Sequence, residues 1–435
     1  VGIKHPAAAA DVRGVKLSTP FVAAVLAAVA VIPATADASH RSDLQYTTLI
    51  SRSYSGKMPN GPSTHPVISN DKRYARAIAF ESLASNIVRG DTNGVQDVFA
   101  VLRRGPIGNN GSPWRASRTV LISRTRSGAP ANGPSSMPAI NGGFHRPPTC
   151  VGFLSDASNI AGGDTNGVTD AFVKNLRSGA PRRLLPGGRQ SAQPATAIAV
   201  SGSCREIAFV TGGKLYLKRG GGRARMISVP GTAADPSFSS GLRDDLVFSA
   251  DRGVYLVKQG SSRARLVAPG GRNPAYNDLK RQVLTYEVRA GGSWQIGYKD
   301  VGRRQQIISR RGGSLGNGDS RDPVIGNSGY YVTFETDASN LGTNVNKRTV
   351  DDNGRPDIYL YTNVRKLTLV QSVAEKGLPL DDGGQHPSMS YYANYIVFDA
   401  DVPLVGPAGN LLASLLQPAS ALGTQQVYMR YLGPV

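Results

Sequence analysis

Cysteine is almost missing from this chain: Cys150 and Cys204 are the only two among 435 residues. That excludes a disulfide-framework protein and any zinc site built from cysteine pairs. Histidine is scarce too, with five in all, and none stands in an H-E-x-x-H pattern. No phosphate loop or dinucleotide glycine fingerprint occurs either, which removes the common nucleotide-binding folds. Negative charge is in deficit, 30 Asp and Glu against 50 Lys and Arg, for a formal net charge of +20. The longest apolar stretch of note, Phe21 to Ile32, is about a dozen residues, short of the roughly 20 that a membrane-spanning helix needs.

What is present around that stretch has the layout of a secretory signal: Lys16 before it, then Pro33 and the small-residue site Ala36-Asp37-Ala38. We expect a leader and signal over 1–38, cleaved after Ala38, and a mature chain over 39–435. The sequence opens on Val1, and Val15 is an equally good start. Residues 1–38 hold three Lys or Arg and two Asp, so +20 falls to about +19. No cysteine follows the cleavage site and the C-terminal QVYMRYLGPV is no hydrophobic tail, so no lipid anchor or membrane span is expected after processing. The expected location is secreted, extracellular or periplasmic. There, a single disulfide between Cys150 and Cys204 is permitted. A basic exported protein first meets cell-wall polymers, lipid headgroups and acidic glycans, so specific nucleic-acid recognition is not expected. An arginine-rich codon bias would produce the same charge.

The chain repeats itself. A Pro opens a short strand, a turn follows, and a second strand carries an aromatic residue. Such units run from Pro66 to Phe80, Pro138 to Phe153, Pro194 to Phe209, Pro236 to Phe248, Pro274 to Tyr286, Pro323 to Phe334 and Pro387 to Phe398. A third strand follows each aromatic (DVFAV, DAFVKN, KLYLK, GVYLVK, QIGYK, DIYLYT, QVYMRY), and a fourth closes most units. The last unit lacks its fourth strand, while an orphan strand, TTLIS (47–51), follows the signal. Joining the two closes a ring and protects its edges. The expected fold is all-β, a seven-bladed β-propeller of four-stranded blades, with six or eight blades as open counts. Its sequence units run over approximately 47–104, 119–179, 181–222, 224–262, 264–302, 304–363 and 365–432.

The pattern of Pro, the serine of PVIS, a polar turn, then IAF and DVF or DIY, resembles the TolB-like, WD-repeat-like propeller repeats of exported bacterial proteins. The resemblance implies the propeller and an exported setting and says little of function. It departs in the first turn, where the usual Asp-Gly is replaced by Asn70-Asp71-Lys72, Asn141-Gly142-Gly143 or Tyr391-Tyr392-Ala393. TolB itself carries a further N-terminal domain, and no segment for one fits between Ser39 and Thr47.

One ten-residue stretch, GDTNGVQDVF from Gly90, recurs seventy-three residues later as GDTNGVTDAF from Gly163, and again in altered form before Asp357. It falls between the second and third strands. Asn-Gly turns and Asp caps make it a repeat corner. Its oxygens also suit calcium: Asp91, Asn93 and Asp97 in the first copy, Asp164, Asn166 and Asp170 in the second, Asp351, Asn353 and Asp357 in the third. No other cofactor is expected. The string Gly312-Gly313-Ser314-Leu315-Gly316 matches G-x-S-x-G but aligns with inter-blade loops, lacking the strand and helix of a nucleophile elbow.

Two surfaces are expected to face ligands. Third-to-fourth hairpins carry Arg182, Arg183, Arg219, Arg223, Arg225, Arg263, Arg265, Arg303, Arg304, Arg365 and Lys366, a basic face. On the other face, the residues before each first-strand Pro ring the channel mouth: His65, Met137, Gln193, Asp235, Asn273, Asp322 and His386. Of these, Asp322, His386 and His65 come from consecutive blades and could hold a transition metal or an acidic sugar, or serve as acid and base. The expected function is a non-catalytic, monomeric binding or scaffolding module for an envelope protein, anionic polymer or glycan. The alternative is a polysaccharide lyase or hydrolase working at the channel mouth.

Overall fold

The computed structural model describes residues 45–433 apart from 73, 106–112, 145, 178, 280, 301, 327–328, 342–353, 364–366, 371, 373–382 and 402–423. Every second strand reads as an apolar run because both of its faces are covered. Ala77–Ser82, Cys150–Ser155, Glu206–Thr211 and Tyr331–Thr336 are buried at all six positions. Such strands stabilise only as layers between other layers. The chain supplies them as seven four-stranded antiparallel sheets, the blades of one propeller.

The first six sheets span 63–121, 135–183, 195–227, 234–269, 272–307 and 320–370. The seventh is built from both ends of the fold: Gln385–Met389, Tyr395–Asp401 and Gln425–Tyr431, with Tyr46–Leu49 as its outer strand. Tyr46 pairs with Tyr431 and Leu49 with Tyr428. The repeat units of the sequence are thus offset from the sheets by one strand. Each unit opens with the outer strand of the preceding blade, which is what a ring closed by its first strand requires.

Seven apolar clusters fill the seven gaps between neighbouring blades. The cluster at the closure sets Tyr395, Val397, Val427 and Met429 against Ile68, Ile78 and Phe80. Within most blades the repeated aromatics of strands two and three stack across the sheet, as Phe153 on Phe172 at 5.5 Å and Phe248 on Tyr255 at 5.7 Å between ring centroids. Blade five differs. Tyr286 faces Gly297, and a Cβ there would sit 3.0 Å from the ring. Tyr298, the aromatic of that third strand, stands one place on, opposite Thr285.

First strands are innermost, each touching the first strands of the blades on either side around the whole ring. At the end bearing the first-to-second turns, side chains cross the axis: Asn70 Nδ2 donates to the Ser240 carbonyl (3.4 Å) and Ser240 Oγ to the Ile325 carbonyl (3.0 Å). They floor a cavity of about 290 Å³ lined in part by Val67, Ile140, Val200, Phe238 and Val324. The channel therefore opens toward the other face. Cys150 of blade two and Cys204 of blade three are joined, with Cα atoms 6.3 Å apart.

Two measurements check this architecture. The disulfide closes a separation of 54 residues, for which the loop-entropy relation gives about 4 kcal/mol. Cys150→Ser with Cys204→Ser is expected to lower the melting temperature by several degrees, and unreduced protein should resist thiol alkylation. Removing 45–50 should lower the melting temperature and broaden the calorimetric transition; an unchanged transition would show that the outer strand is not what closes the ring.

Candidate functional site: the channel mouth and its loops

Six of the seven residues before the first-strand prolines have left-handed backbone, with φ of 50° at His65, 51° at Met137, 49° at Asp235, 45° at Asn273, 52° at Asp322 and 49° at His386. Pairing with the second strand slips at each of them. Such backbone costs a non-glycine residue on the order of 1–3 kcal/mol. What holds five of them is a carboxylate on a neighbouring blade. The amides of His65, Met137 and His386 donate to Asp399 (3.2 Å), Glu81 (2.8 Å) and Glu335 (3.0 Å). Those of Asn273 and Asp322 donate to Asp235 (3.2 Å) and Glu287 (3.0 Å).

Four of these acceptors, Glu81, Glu287, Glu335 and Asp399, immediately follow the second-strand aromatic and are buried. Sequence reasoning missed them, although acid-after-aromatic recurs at 80–81, 286–287, 334–335 and 398–399. Asp235 keeps its left-handed backbone although Val210, not an acid, follows Phe209 in the blade before it; Gln193 is offered no acid either. The preceding blade has Leu154 after Phe153, so no carboxylate is offered, and the Gln193 amide turns to Ser191 Oγ instead (2.9 Å).

The mouth is consequently a hydrogen-bonded arc over six blades, from blade four round to blade two, open at blade three. At its centre the rings of His65 and His386 stack, with centroids 3.8 Å apart. His65 Nδ1 lies 2.9 Å from Glu81 Oε1, and His386 Nδ1 lies 3.0 Å from Asp399 Oδ1. Asn273 Nδ2 bridges Asp322 Oδ1 (2.6 Å) and Glu287 Oε1 (2.9 Å). This corrects the transition-metal reading of Asp322, His386 and His65. The imidazoles come together, but face to face and with Nδ1 engaged, not with lone pairs aimed at one point. Among the described residues no group of three or more His, Cys, Asp or Glu could hold a metal ion.

The arc does hold protons unusually. Burial pushes Glu335 up to about 7, against the His386 amide, with Asp322 adding repulsion. Burial alone would lower His386, but its bond to Asp399 and the charges of Asp399, Glu335 and Asp322 lift it to about 9. A cationic imidazole thus sits beside a carboxyl group that titrates near neutrality, which equips the mouth to accept or release a proton.

The repeated loop divides into a structural half and a charged half. Its Ala-Ser-Asn triplet locks onto the Asn-Gly of the preceding inter-blade loop. Asn60, Asn132 and Asn317 each donate their amide to Asn86, Asn159 and Asn340 Oδ1 at 2.9–3.0 Å. The adjoining Gly61, Gly133 and Gly318 lie so close that a Cβ would meet backbone at 2.7–3.0 Å. Asp97 is the start of a clip, accepting from Ser123 Oγ (2.5 Å) while Ser123 receives the Val98 amide (2.9 Å). Gln295 and Gln426 make the same clip without charge, with Ser309 and Ser51.

In blade two the charged half is occupied by Arg183. Its Nη2 lies 3.0 Å from Asp164 Oδ2 and its Nε 2.9 Å from Asp170 Oδ2, with only 6% of the side chain exposed. This corrects one expectation. Arg183 does not belong to the basic face, because neighbours along a strand point to opposite sides and it turns away from Arg182. In blade two a guanidinium thus faces the carboxylates of Asp164 and Asp170, two of the residues expected to suit calcium. Asp351 and Asn353 lie outside the described residues; Asp357 is clipped by Ser372 like its counterparts. Ser314 lies in a two-residue strand of a small hairpin, Arg310–Arg311 with Ser314–Leu315, with no helix after it, so the G-x-S-x-G string is no nucleophile elbow.

On the opposite face, Arg182, Arg223, Arg225, Arg263, Arg265, Arg303 and Arg304 are exposed. Arg219 pairs with Glu206 at 3.2 Å, and Arg365 and Lys366 lie outside the described residues.

No protein-family model and no curated protein matches the chain. Among solved structures it is similar to the β-propeller domain of the Trilobed protease from Pyrococcus furiosus, at 10% identity over 86% of this chain and 95% of that one, with a TM-score of 0.48. It is also similar to the acylaminoacyl peptidase of Pyrococcus horikoshii, at 11% identity over 78% of this chain and 49% of that one, TM-score 0.45. A protein of unknown function from Dyadobacter fermentans is 12% identical over 90% of this chain and 98% of that one, TM-score 0.42. At these scores the likenesses carry no weight of their own, and the propeller rests on the chain's own strand pairing.

The lifted His386 has a signed consequence. A group whose folded pKa is raised contributes stability that is fully present below its unfolded value and lost as pH rises through the folded value. For His386 the window runs from 6.5 to about 9. The melting temperature is expected to fall across that window, and less steeply in His386→Gln; imidazole NMR titration should place the His386 midpoint well above that of a free histidine.

Proposed function

We propose that the chain is a binding or scaffolding module working outside the cytoplasm, and that it engages anionic envelope polymers or glycans through its third-to-fourth hairpins. One observation carries this reading. Arg182, Arg223, Arg225, Arg263, Arg265 and Arg304 are exposed on four consecutive blades, and none forms an ion pair among the described residues. Unneutralised guanidinium groups spread over one face make a field that attracts polyanions, and their forked donors match carboxylate and phosphate. The location rests on the leader in the sequence.

Retention on an immobilised polyanion such as heparin or polygalacturonate should weaken steeply with added salt, since exposed charges are screened beyond about 10 Å at 0.1 M. Replacing Arg223, Arg225, Arg263 and Arg265 with Glu should abolish retention. Reversing Arg126 and Arg189, exposed in loops of the other face, should leave it nearly intact. Equal losses in both variants would point to bulk charge alone.

A second reading, a polysaccharide lyase or hydrolase, is favoured by the neutral-range Glu335 beside His386. It predicts turnover of acidic glycans by the wild-type chain that His386→Gln loses. No new reducing ends or unsaturated products after prolonged incubation removes it.

A further inference from the structure

Blades one and two share the same ten-residue loop, but they do not balance its charge in the same way. In blade two, register pairs Phe172 with Arg183, and the guanidinium reaches both carboxylates, the Ala161 carbonyl (3.1 Å) and the Gly163 carbonyl (3.3 Å). One buried cation satisfies the loop. In blade one the same register position, opposite Phe99, is Leu121. Among the described residues no side-chain cation pairs with the loop, yet Asp91 and Asp97 are retained at 7% and 0% exposure. Asp91 Oδ1 is buried with no hydrogen-bond partner.

Two buried carboxylates this close work against each other. Burial raises both, and Asp91 adds to the rise of Asp97, which reaches about 6. The clip does not call for this charge, since Gln295 and Gln426 make it as neutral amides. The turn uses the Asp91 carboxylate only to accept from the Asn93 amide, and Asp91 Oδ1 is left without a partner. What a carboxylate pair with an unpartnered, inward oxygen does call for is a positive charge.

We propose that Asp91 and Asp97 of blade one bind a calcium ion at the place that the Arg183 guanidinium fills in blade two. The donor chemistry selects the ion. The loop offers oxygen alone: two carboxylates and the carbonyls of Val88 and Gly90, which correspond to those of Ala161 and Gly163. Neither histidine nor cysteine stands among them, so the set is hard and excludes metals that prefer nitrogen or sulfur. Water completes a shell of six to eight oxygens at an exposed loop. Exchangeable metal in one blade thus does the work of a tethered arginine in the next.

The test uses the mature chain, stripped with chelator and titrated with calcium chloride by calorimetry, with melting curves at each step. One site per chain is expected, with a dissociation constant on the order of 10⁻⁴ M, as in extracellular modules, and a melting temperature that rises with calcium. Asp91→Asn should weaken binding at least tenfold. Leu121→Arg should copy the blade-two solution, abolishing calcium binding while melting no lower than the stripped wild-type chain. Arg183→Leu should raise the stoichiometry from one to two. A wild-type chain with neither binding heat nor a calcium-dependent melt overturns the assignment, and so does an Asp91→Asn chain that binds calcium as the wild type does.

Discussion

The pairing of Tyr46–Leu49 with Gln425–Tyr431 is the constraint on which everything else depends. Each blade buries its second strand on both faces, so no blade has a finished surface to present to water. Six inter-blade gaps are closed by chain continuity, one blade following another. The seventh has no such help. If the outer strand came away, the aromatic and aliphatic side chains of blades seven and one would meet only across a seam with an unpaired edge. The Ser51 hydroxyl on Gln426 Oε1, spanning 375 residues, is the side-chain counterpart of that pairing.

The fold was legible because the same physical job is done seven times. A strand covered on both faces must be apolar, and its aromatic recurs wherever a neighbour must be met. The missing outer strand at the end and the surplus one at the start were equally plain. In blade five the third-strand aromatic falls out of step with Tyr286, because register is counted from the turn. With Ala290 paired to Ser293, position 297 falls opposite Tyr286 and happens to be glycine.

The site was less legible, for a different reason. Asp399 serves His65, 334 residues away in sequence, and Glu81 serves Met137, 56 away. Nothing in local spacing connects a carboxylate with an amide on the next blade. Arg183 was misplaced although strand alternation could have separated it from Arg182. The two faces end with opposite character: guanidinium groups at one and, around the mouth of the other, carboxylates and imidazoles. In so basic a chain the acidic residues are few, and several of them are spent on this arc. Six exposed arginines of the hairpins are left without an ion pair among the described residues.

The left-handed residues before the prolines have a bearing on how the ring assembles. Taken alone, a blade holding His65 or Asp322 in that backbone has nothing to offset its strain, because the offsetting carboxylate belongs to another blade. An incomplete array can relax at its open end by letting that residue leave the left-handed region, which slips the inner strand and spoils the face the next blade would dock on. Only when the preceding blade is in place do these five inner strands have the carboxylate that holds their bulge. The mouth therefore reports on the completeness of the circle, and its geometry is a collective property that no single repeat possesses.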